Sequence, residues 1–395
     1  MSEQGRSSHT PVNTFSFRKR DGIAVALLLA ANLAVLLSLS RPVVFTAGLV
    51  LTCFLPGYLL TRILLPAGIV SDWTERIVLT IGAGFALLIL GALGLHYVPG
   101  PLRPVHILLL YDGLVVAFIV ILSLRRRDER PPAPHPSRYR YLLLLGLTLI
   151  AAFFRLTNLG YSEFQGDESR ALLMAAGVIR GEDDILFLHR KGPAEILVPT
   201  VSYALQNSAT ELTARLPFAL ASLAGILTIY LLTRRLFPGH AFAAPAAAGL
   251  LAVDGYLVAF GRLVQYQSIV FLMVALAAWC FYVWYRNGKR VLPMLGALFL
   301  AVGTLAHYEA ILVTPFLAWL YWARGRREKW SLLRWVENAL GPIAVFTIGA
   351  GIFYVPFVRH PRFLADTAEY IIQGRIGGGL LYNNIQDVLF RATFY

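Results

Sequence analysis

From Gly22 onward the chain is a succession of long apolar runs separated by short polar segments. A helix needs about 20 apolar residues, at ~1.5 Å rise each, to cross the hydrocarbon core of a bilayer. The runs 22–40, 43–65, 77–98, 105–124, 141–156, 214–236, 241–258, 268–285, 291–306, 310–323 and 339–357 approach that length. Hydrocarbon tolerates no unpaired backbone groups, so these runs predict an all-α polytopic membrane protein with about 11 transmembrane helices. Only 14% of the residues are charged, against about 25% in soluble domains, too few to cover a soluble core of this size. Arg18-Lys19-Arg20 followed by an apolar run also imitates a signal peptide. The run is long for one and lacks a small-x-small cleavage site, so it is read as an uncleaved first span. Cys53 and Cys280 both lie inside apolar runs and form no disulfide framework.

The formal net charge of +13 would suggest nucleic acid in a soluble protein. Here the basic residues gather between the apolar runs, so membrane lipids are the expected partner and nucleic acid is not. With the N-terminus in the cytoplasm, the basic clusters at Arg18–Arg20, Arg125–Arg140, Arg234-Arg235, Arg286–Arg290 and Arg324–Lys329 all fall on the cytoplasmic side. About 22 of the 35 Lys and Arg lie inside and about 13 outside, as the positive-inside rule requires. The stretch 291–323 is too long for one span and basic at both ends, so it must cross twice. His307-Tyr308-Glu309 would be its turn, below the outer surface, where polar groups must face protein or water. Arg125–Arg130 and Pro131-Pro132-Ala133-Pro134 form the clearest boundary. They separate a four-span N-terminal module (1–130) from a linker (131–140), a seven-span unit (141–358) and an outer tail (359–395).

The longest outer loop, 157–207, carries the chemistry. Gly166-Asp167 reads as a helix start capped by Asp167, and Gly181 as its end. Pro193 reads as the first residue of a second helix ending at Gln206. Both are expected to be interfacial, and Ser208-Ala-Thr-Glu211 as a capping box for the next span. An acidic pair, Asp167-Glu168, thus opens one helix, and a basic group, His189-Arg190-Lys191, precedes the other. Facing each other, they would place a base beside cations able to hold a lipid phosphate. Taken alone, the carboxylates also fit a solvated helix cap, and Arg190 and Lys191 fit ordinary headgroup contacts.

An ordered set of motifs sharpens this reading. Phe154-Arg-Leu-x-x-Leu-Gly160, Gly166-Asp167-Glu168, Arg190-Lys-Gly-Pro193, Ala214-Arg-Leu-Pro-Phe-Ala-Leu-Ala221, Gly261-Arg262 with Gln265-Tyr266-Gln267-Ser268, and Leu305-Ala-His307-Tyr-Glu-Ala310 occur in that order. The set resembles C-type (GT-C) glycosyltransferases. The likeness is to dolichyl-phosphate-mannose–protein mannosyltransferase relatives and aminoarabinose transferases, over about 141–357. No single motif is specific, and the ordered set on a matching topology is a much stronger signal than any one of them. The resemblance implies a seven-span GT-C core whose first outer loop carries the acidic motif. It implies transfer of a sugar, with inversion, from a polyprenyl-phosphate donor to an acceptor hydroxyl not identified by the sequence, on the non-cytoplasmic face of a prokaryotic plasma membrane.

In that frame Asp167 would be the general base, or would position the acceptor, with Glu168 supporting it. Arg190, Lys191 and Arg262 would bind the donor phosphate, and His307, Tyr308 and Glu309 would line the cavity. No cofactor is required by the sequence, and the resemblance leaves a divalent metal at the acidic motif open. Two departures stand out: Gly192 replaces a proline common in relatives, and the chain stops at Tyr395 where relatives continue, as a short or truncated member would. Gly374-Arg-Ile-Gly-Gly-Gly379 would be a lid or a plain linker. Phe54-Leu-Pro-Gly-Tyr58 and Asp72-Trp-Thr-Glu-Arg76 resemble front modules of prokaryotic envelope-glycan membrane proteins. The alternative function is a transporter or lipid-linked glycan flippase. Against it, Asp112 is the only charge well inside a span and no internal repeat is visible. A scaffold would leave the paired acidic and basic clusters without a purpose.

Overall fold

A computed structural model describes residues 19–65, 69–70, 72–124, 138–208, 210–363, 365 and 369. The polar N-terminus, the linker residues 125–137 and the glycine-rich segment Gly374–Gly379 lie outside the described residues. The described residues form helices and no β-strand. In order they are α1 (Lys19–Leu36), α2 (Arg41–Leu49), a π-helical turn (Val50–Phe54), α3 (Leu55–Leu64), α4 (Trp73–His96), α5 (Pro104–Leu124), α6 (Arg138–Leu156), α7 (Gly166–Arg180) and a 3-10 turn (Ile185–Leu188). There follow α8 (Ala194–Gln206), α9 (Glu211–Leu236), α10 (Ala243–Val253), α11 (Gly255–Phe260), α12 (Gln267–Asn287), α13 (Val291–Ala306), a 3-10 turn (Tyr308–Val313), α14 (Thr314–Arg327) and α15 (Leu332–Arg359).

Helix occupies each of the eleven expected runs, but among the described residues six helical stretches are long and apolar enough to cross a membrane: Arg41–Leu64, Trp73–His96, Pro104–Leu124, Glu211–Leu236, Gln267–Asn287 and Leu332–Arg359. The expected count of about 11 is therefore not reached on length and composition. The remaining runs are shorter or more charged. Asp254 accounts for one difference: its carboxylate accepts from Leu257 N–H at 2.8 Å and starts α11, so the expected span 241–258 stops at Val253. The helix Arg41–Leu64 carries its π turn just before Pro56, whose ring nitrogen cannot donate.

The first four helical stretches are not a separate appendage. A Cβ on Gly57 would strike the backbone of Thr80 and Gly84, and one on Gly84 would strike Cys53, so α3 and α4 cross backbone to backbone. The other side of α4 packs into the remainder of the protein against α8, α9, α12 and α13, with Gly82 under Leu276 and Phe299. At the α4 N-terminus Asp72 caps Glu75 N–H at 3.0 Å and meets Arg140, while Arg234 Nη1 donates to it at 2.9 Å. Glu75 accepts from Arg234 at 3.3 Å and Arg235 Nε at 2.8 Å. In α5, Asp112 accepts from Asn32 of α1 at 2.9 Å.

These contacts gather the starts of α4 and α6 and the end of α9 at one end of the molecule. At the other end the α4–α5 turn meets the 157–207 loop. Leu102 N–H donates to Ile179 O at 2.9 Å, and His96 Nε2 lies 3.1 Å from Asp183 O. Tyr97 Oη donates to Ile352 O at 3.0 Å there. The start of α4 and the α4–α5 turn thus lie at opposite ends of the molecule. The stretch 291–323 breaks at His307, whose backbone is extended. Its second arm, α14, returns to the end of α12, where Arg324 Nη1 donates to Trp284 O at 2.7 Å and Tyr285 O at 2.8 Å.

Candidate functional site

The acidic helix opens differently from expectation. Gln165 is the N-cap of α7, and its N–H donates to Glu168 Oε2 at 3.1 Å, a reach back from the third helical position. Asp167, expected to be the cap, is exposed and instead accepts from the Gln265 side-chain amide at 2.9 Å. Glu168 is fully buried. Arg215 Nε and Nη2 clasp its two oxygens at 2.8 and 2.7 Å, and Val264 N–H donates to Oε1 at 2.9 Å. The same guanidinium donates to Leu159 O at 3.1 Å, Ser162 O at 2.8 Å and Glu163 O at 2.9 Å. A planar five-donor group suits that task where an ammonium would not. Glu168 and Arg215 therefore fasten the loop, and Asp167 is the carboxylate left facing outward. Helix α7 buries one face, with Ala171, Met174, Ala175 and Val178 inward and Leu173 outward, and ends at Gly181 with φ +80.

The basic helix also departs from expectation. Pro193 is its N-cap and Ala194 its first residue. Helix α8 is buried on nearly all sides, packed against α2, α4, α7, α9 and α13, so it is an internal helix rather than an interfacial one. Its apolar residues run all round, which protein neighbours must cover. The next helix starts from a Thr210–Thr213 box, not from Ser208 and Glu211: Thr213 N–H donates to Thr210 Oγ1 at 3.3 Å.

Glu195, in the first turn of α8, is the centre of the basic group. It is 2% exposed. Its Oε1 lies 2.7 Å from His189 Nε2 and 3.8 Å from Lys191 Nζ, and its Oε2 accepts from Tyr266 N–H at 3.0 Å. Lys191 Nζ also sits 4.8 Å from the Tyr266 ring centroid, within cation–π range. The Tyr266 ring stacks on buried His307 at 4.0 Å, and His307 in turn lies 4.0 Å from the Tyr308 ring. Glu309 N–H donates to His307 Nδ1 at 3.2 Å, while the Glu309 side chain is exposed. Gly192 has a steric reason: a Cβ there would run into the carbonyl of Leu305, so the strand of chain bearing Lys191 lies flat on the end of α13.

One short segment between α11 and α12 joins both halves. Val264 N–H holds Glu168, Gln265 holds Asp167, and Tyr266 N–H holds Glu195. Arg190 is exposed beside Lys191. Arg262, at the start of this segment, gives Nη1 to Phe154 O at 2.8 Å and Nη2 to Asn158 O at 3.3 Å, closing the end of α6. Sequence reasoning missed Arg215, Gln265 and Glu195. All three lie within or beside the motif set, and asking which cation neutralises a buried Glu168 would have pointed to Arg215. Among the described residues no group of three or more His, Cys, Asp or Glu could hold a metal ion. Both Glu168 oxygens are taken by Arg215, Val264 and Gln165, so the acidic motif as folded does not form a metal donor set.

Residues 191–348 match the family described as dolichyl-phosphate-mannose-protein mannosyltransferase, of the C-type glycosyltransferase kind. That domain begins at Lys191 and takes in Glu195, Arg215, Gln265, Tyr266 and His307, while Asp167-Glu168 lie before it. Residues 26–152 match a domain of unknown function, DUF8471. No curated protein and no solved structure matches the chain.

Proposed function

We propose that the protein is a membrane glycosyltransferase of the C type, moving a sugar from a polyprenyl-phosphate carrier to an acceptor hydroxyl at the end of the molecule that bears α7 and α8. The observation that carries this reading is the anchoring of Asp167 and of the Glu195–Lys191 pair on adjoining residues, Gln265 and Tyr266. A base and a cation fixed on one short segment can serve the two ends of one displacement. The mannosyltransferase-family domain supports the reaction class.

The acceptor O–H gives its proton to Asp167 as its oxygen attacks the anomeric carbon. The bond from that carbon to the phosphate oxygen breaks, and its electron pair leaves with the phosphate. Attack opposite the leaving group inverts the anomeric centre. Gln265 orients Asp167, as a neutral donor that leaves the carboxylate basic. Lys191, with Arg190 at the rim, neutralises the charge that develops on the phosphate. Glu168 and Arg215 hold the loop that presents Asp167. Arg262 holds the end of α6 and brings its charge to the same segment. The active face is external and the basic clusters cytoplasmic, by the charge rule.

Transfer of labelled sugar from a polyprenyl-phosphate donor by the purified full chain tests the proposal. Asp167→Asn and Asp167→Ala are expected to lose about 10²–10⁴-fold in rate. Near-wild-type transfer by both would remove Asp167 from the mechanism, and no transfer by the wild-type chain to protein, lipid or glycan acceptors would remove the activity.

A further inference from the structure

Glu195 is an anion beside the cation proposed to bind an anion. A purely attractive phosphate site would not place a buried carboxylate 3.8 Å from its lysine. The reaction supplies a reason for one. A sugar-phosphate diester carries one negative charge, and the phosphate monoester it becomes carries up to two near neutral pH. The product is thus held more tightly than the substrate by any cationic site, and a site with uncompensated charge retains it.

We propose that Glu195 is a positioning and charge-balancing residue. It fixes Lys191 over the Tyr266 ring and offsets part of its charge, so that the carrier phosphate binds reversibly. This rests on the reading of Lys191 as the phosphate ligand. The geometry provides both functions. Oε2 is committed to Tyr266 N–H at 3.0 Å, which locks the carboxylate in place. Oε1 faces Lys191 Nζ at 3.8 Å and His189 Nε2 at 2.7 Å, so the carboxylate oxygen nearest the ammonium is enclosed by the imidazole. Glu195 and His189 are buried, while Lys191 keeps 22% of its side chain exposed. The ammonium is the member of the group that a ligand can reach.

The test measures binding of a short polyprenyl phosphate, without sugar, to the purified full chain, alongside steady-state transfer. Glu195→Gln keeps an acceptor for Tyr266 N–H and removes the charge. It is expected to bind the phosphate about tenfold more tightly, with donor KM and kcat both reduced as product release slows. Glu195→Asp, which keeps the charge, is expected to bind within a few-fold of wild type. Unchanged or weaker binding by Glu195→Gln overturns the proposal. If that variant does not fold, Glu195→Met, which also removes the charge and keeps the volume, takes its place, and unchanged or weaker binding by it overturns the proposal. Tighter binding by Glu195→Gln in a protein that transfers no sugar would leave this inference standing and the transferase reading fallen. Sugar transfer with weakened binding by Glu195→Gln would do the reverse.

Discussion

Tyr266 donates its backbone N–H to Glu195 Oε2 at 3.0 Å, and in doing so ties the segment before α12 to the first turn of α8. Two residues earlier in the same segment, Val264 N–H holds Glu168 at the opening of α7. The helices bearing the acidic and basic groups therefore share one backbone support, although they are separated from it by the whole of α9 and α10. Rigid support of this kind fixes the spacing of the acidic and basic groups.

Gln265 is expected to matter for rate and little for stability. Its side chain bonds exposed Asp167 but is itself buried, so Gln265→Met, which keeps its volume, removes that hydrogen bond with little change in packing. Transfer should fall about tenfold with melting temperature near wild type, since orientation of a general base contributes of that order. Rate and thermal unfolding measured on the same preparation check this.

The Glu168–Arg215 pair should behave as a stability element. Removing one partner of a buried pair leaves an uncompensated charge and costs about 3–5 kcal/mol. Arg215→Ala and Glu168→Ala should each lower the unfolding temperature sharply, and the double variant should cost less than their sum. A double-mutant cycle by thermal unfolding in detergent reads this directly. Simple additivity would show that the pair is not coupled.

Gly192→Ala should shift the segment that carries Lys191. The new methyl meets the Leu305 carbonyl, which belongs to the last turn of α13 and cannot move freely. Overpacking of this kind costs about 1–3 kcal/mol. We expect reduced thermal stability together with weaker donor binding, read as a rise in KM.

Asp72→Ala should loosen the joint between the first four helical stretches and the rest. It removes the α4 cap and a partner of Arg140 and Arg234. The arginines are a fifth to a quarter exposed, so solvent screens their contribution and the cap contributes about 1 kcal/mol of the loss. The expected result is a modest drop in unfolding temperature. An unchanged unfolding temperature would show that α4 is held by its apolar packing alone.

Asp183→Cys and Lys289→Cys should react with a membrane-impermeant thiol reagent from opposite sides. Both positions are exposed, and they lie at opposite ends of the molecule. The native Cys53 and Cys280 are buried and give little background. Labelling of both from one side would overturn the threading, and labelling of residue 183 from the cytoplasm alone would reverse the protein's orientation.

Much of the helical layout was legible because hydrophobicity and helix length are local properties. The break at His307 and the return of α14 to the end of α12 follow from apolar run lengths and from where the basic residues fall, and the end of α7 from glycine's access to positive φ at Gly181. Local signals misplaced the caps. Asp167 is a good N-cap by type, but Gln265, far away in sequence, takes its carboxylate, and Gln165 takes the cap position. Asp254 likewise ends a run that hydropathy alone continues to Val258.

What the sequence by itself determined was the class of molecule and the residue types of the site: a chain of apolar helices, a basic distribution that gives it sides, and carboxylates and cations in one loop. Only the tertiary structure decided which carboxylate stays exposed. Asp167 and Glu168 are neighbours in sequence and equivalent in chemistry. Arg215, Val264 and Gln165 consume one of them, and a single amide orients the other. The same holds for α8, which length and composition place at a membrane surface and packing places inside. The physical reason is common to both cases. A side chain's role depends on the groups that satisfy it, and those groups come from parts of the chain that no local window contains.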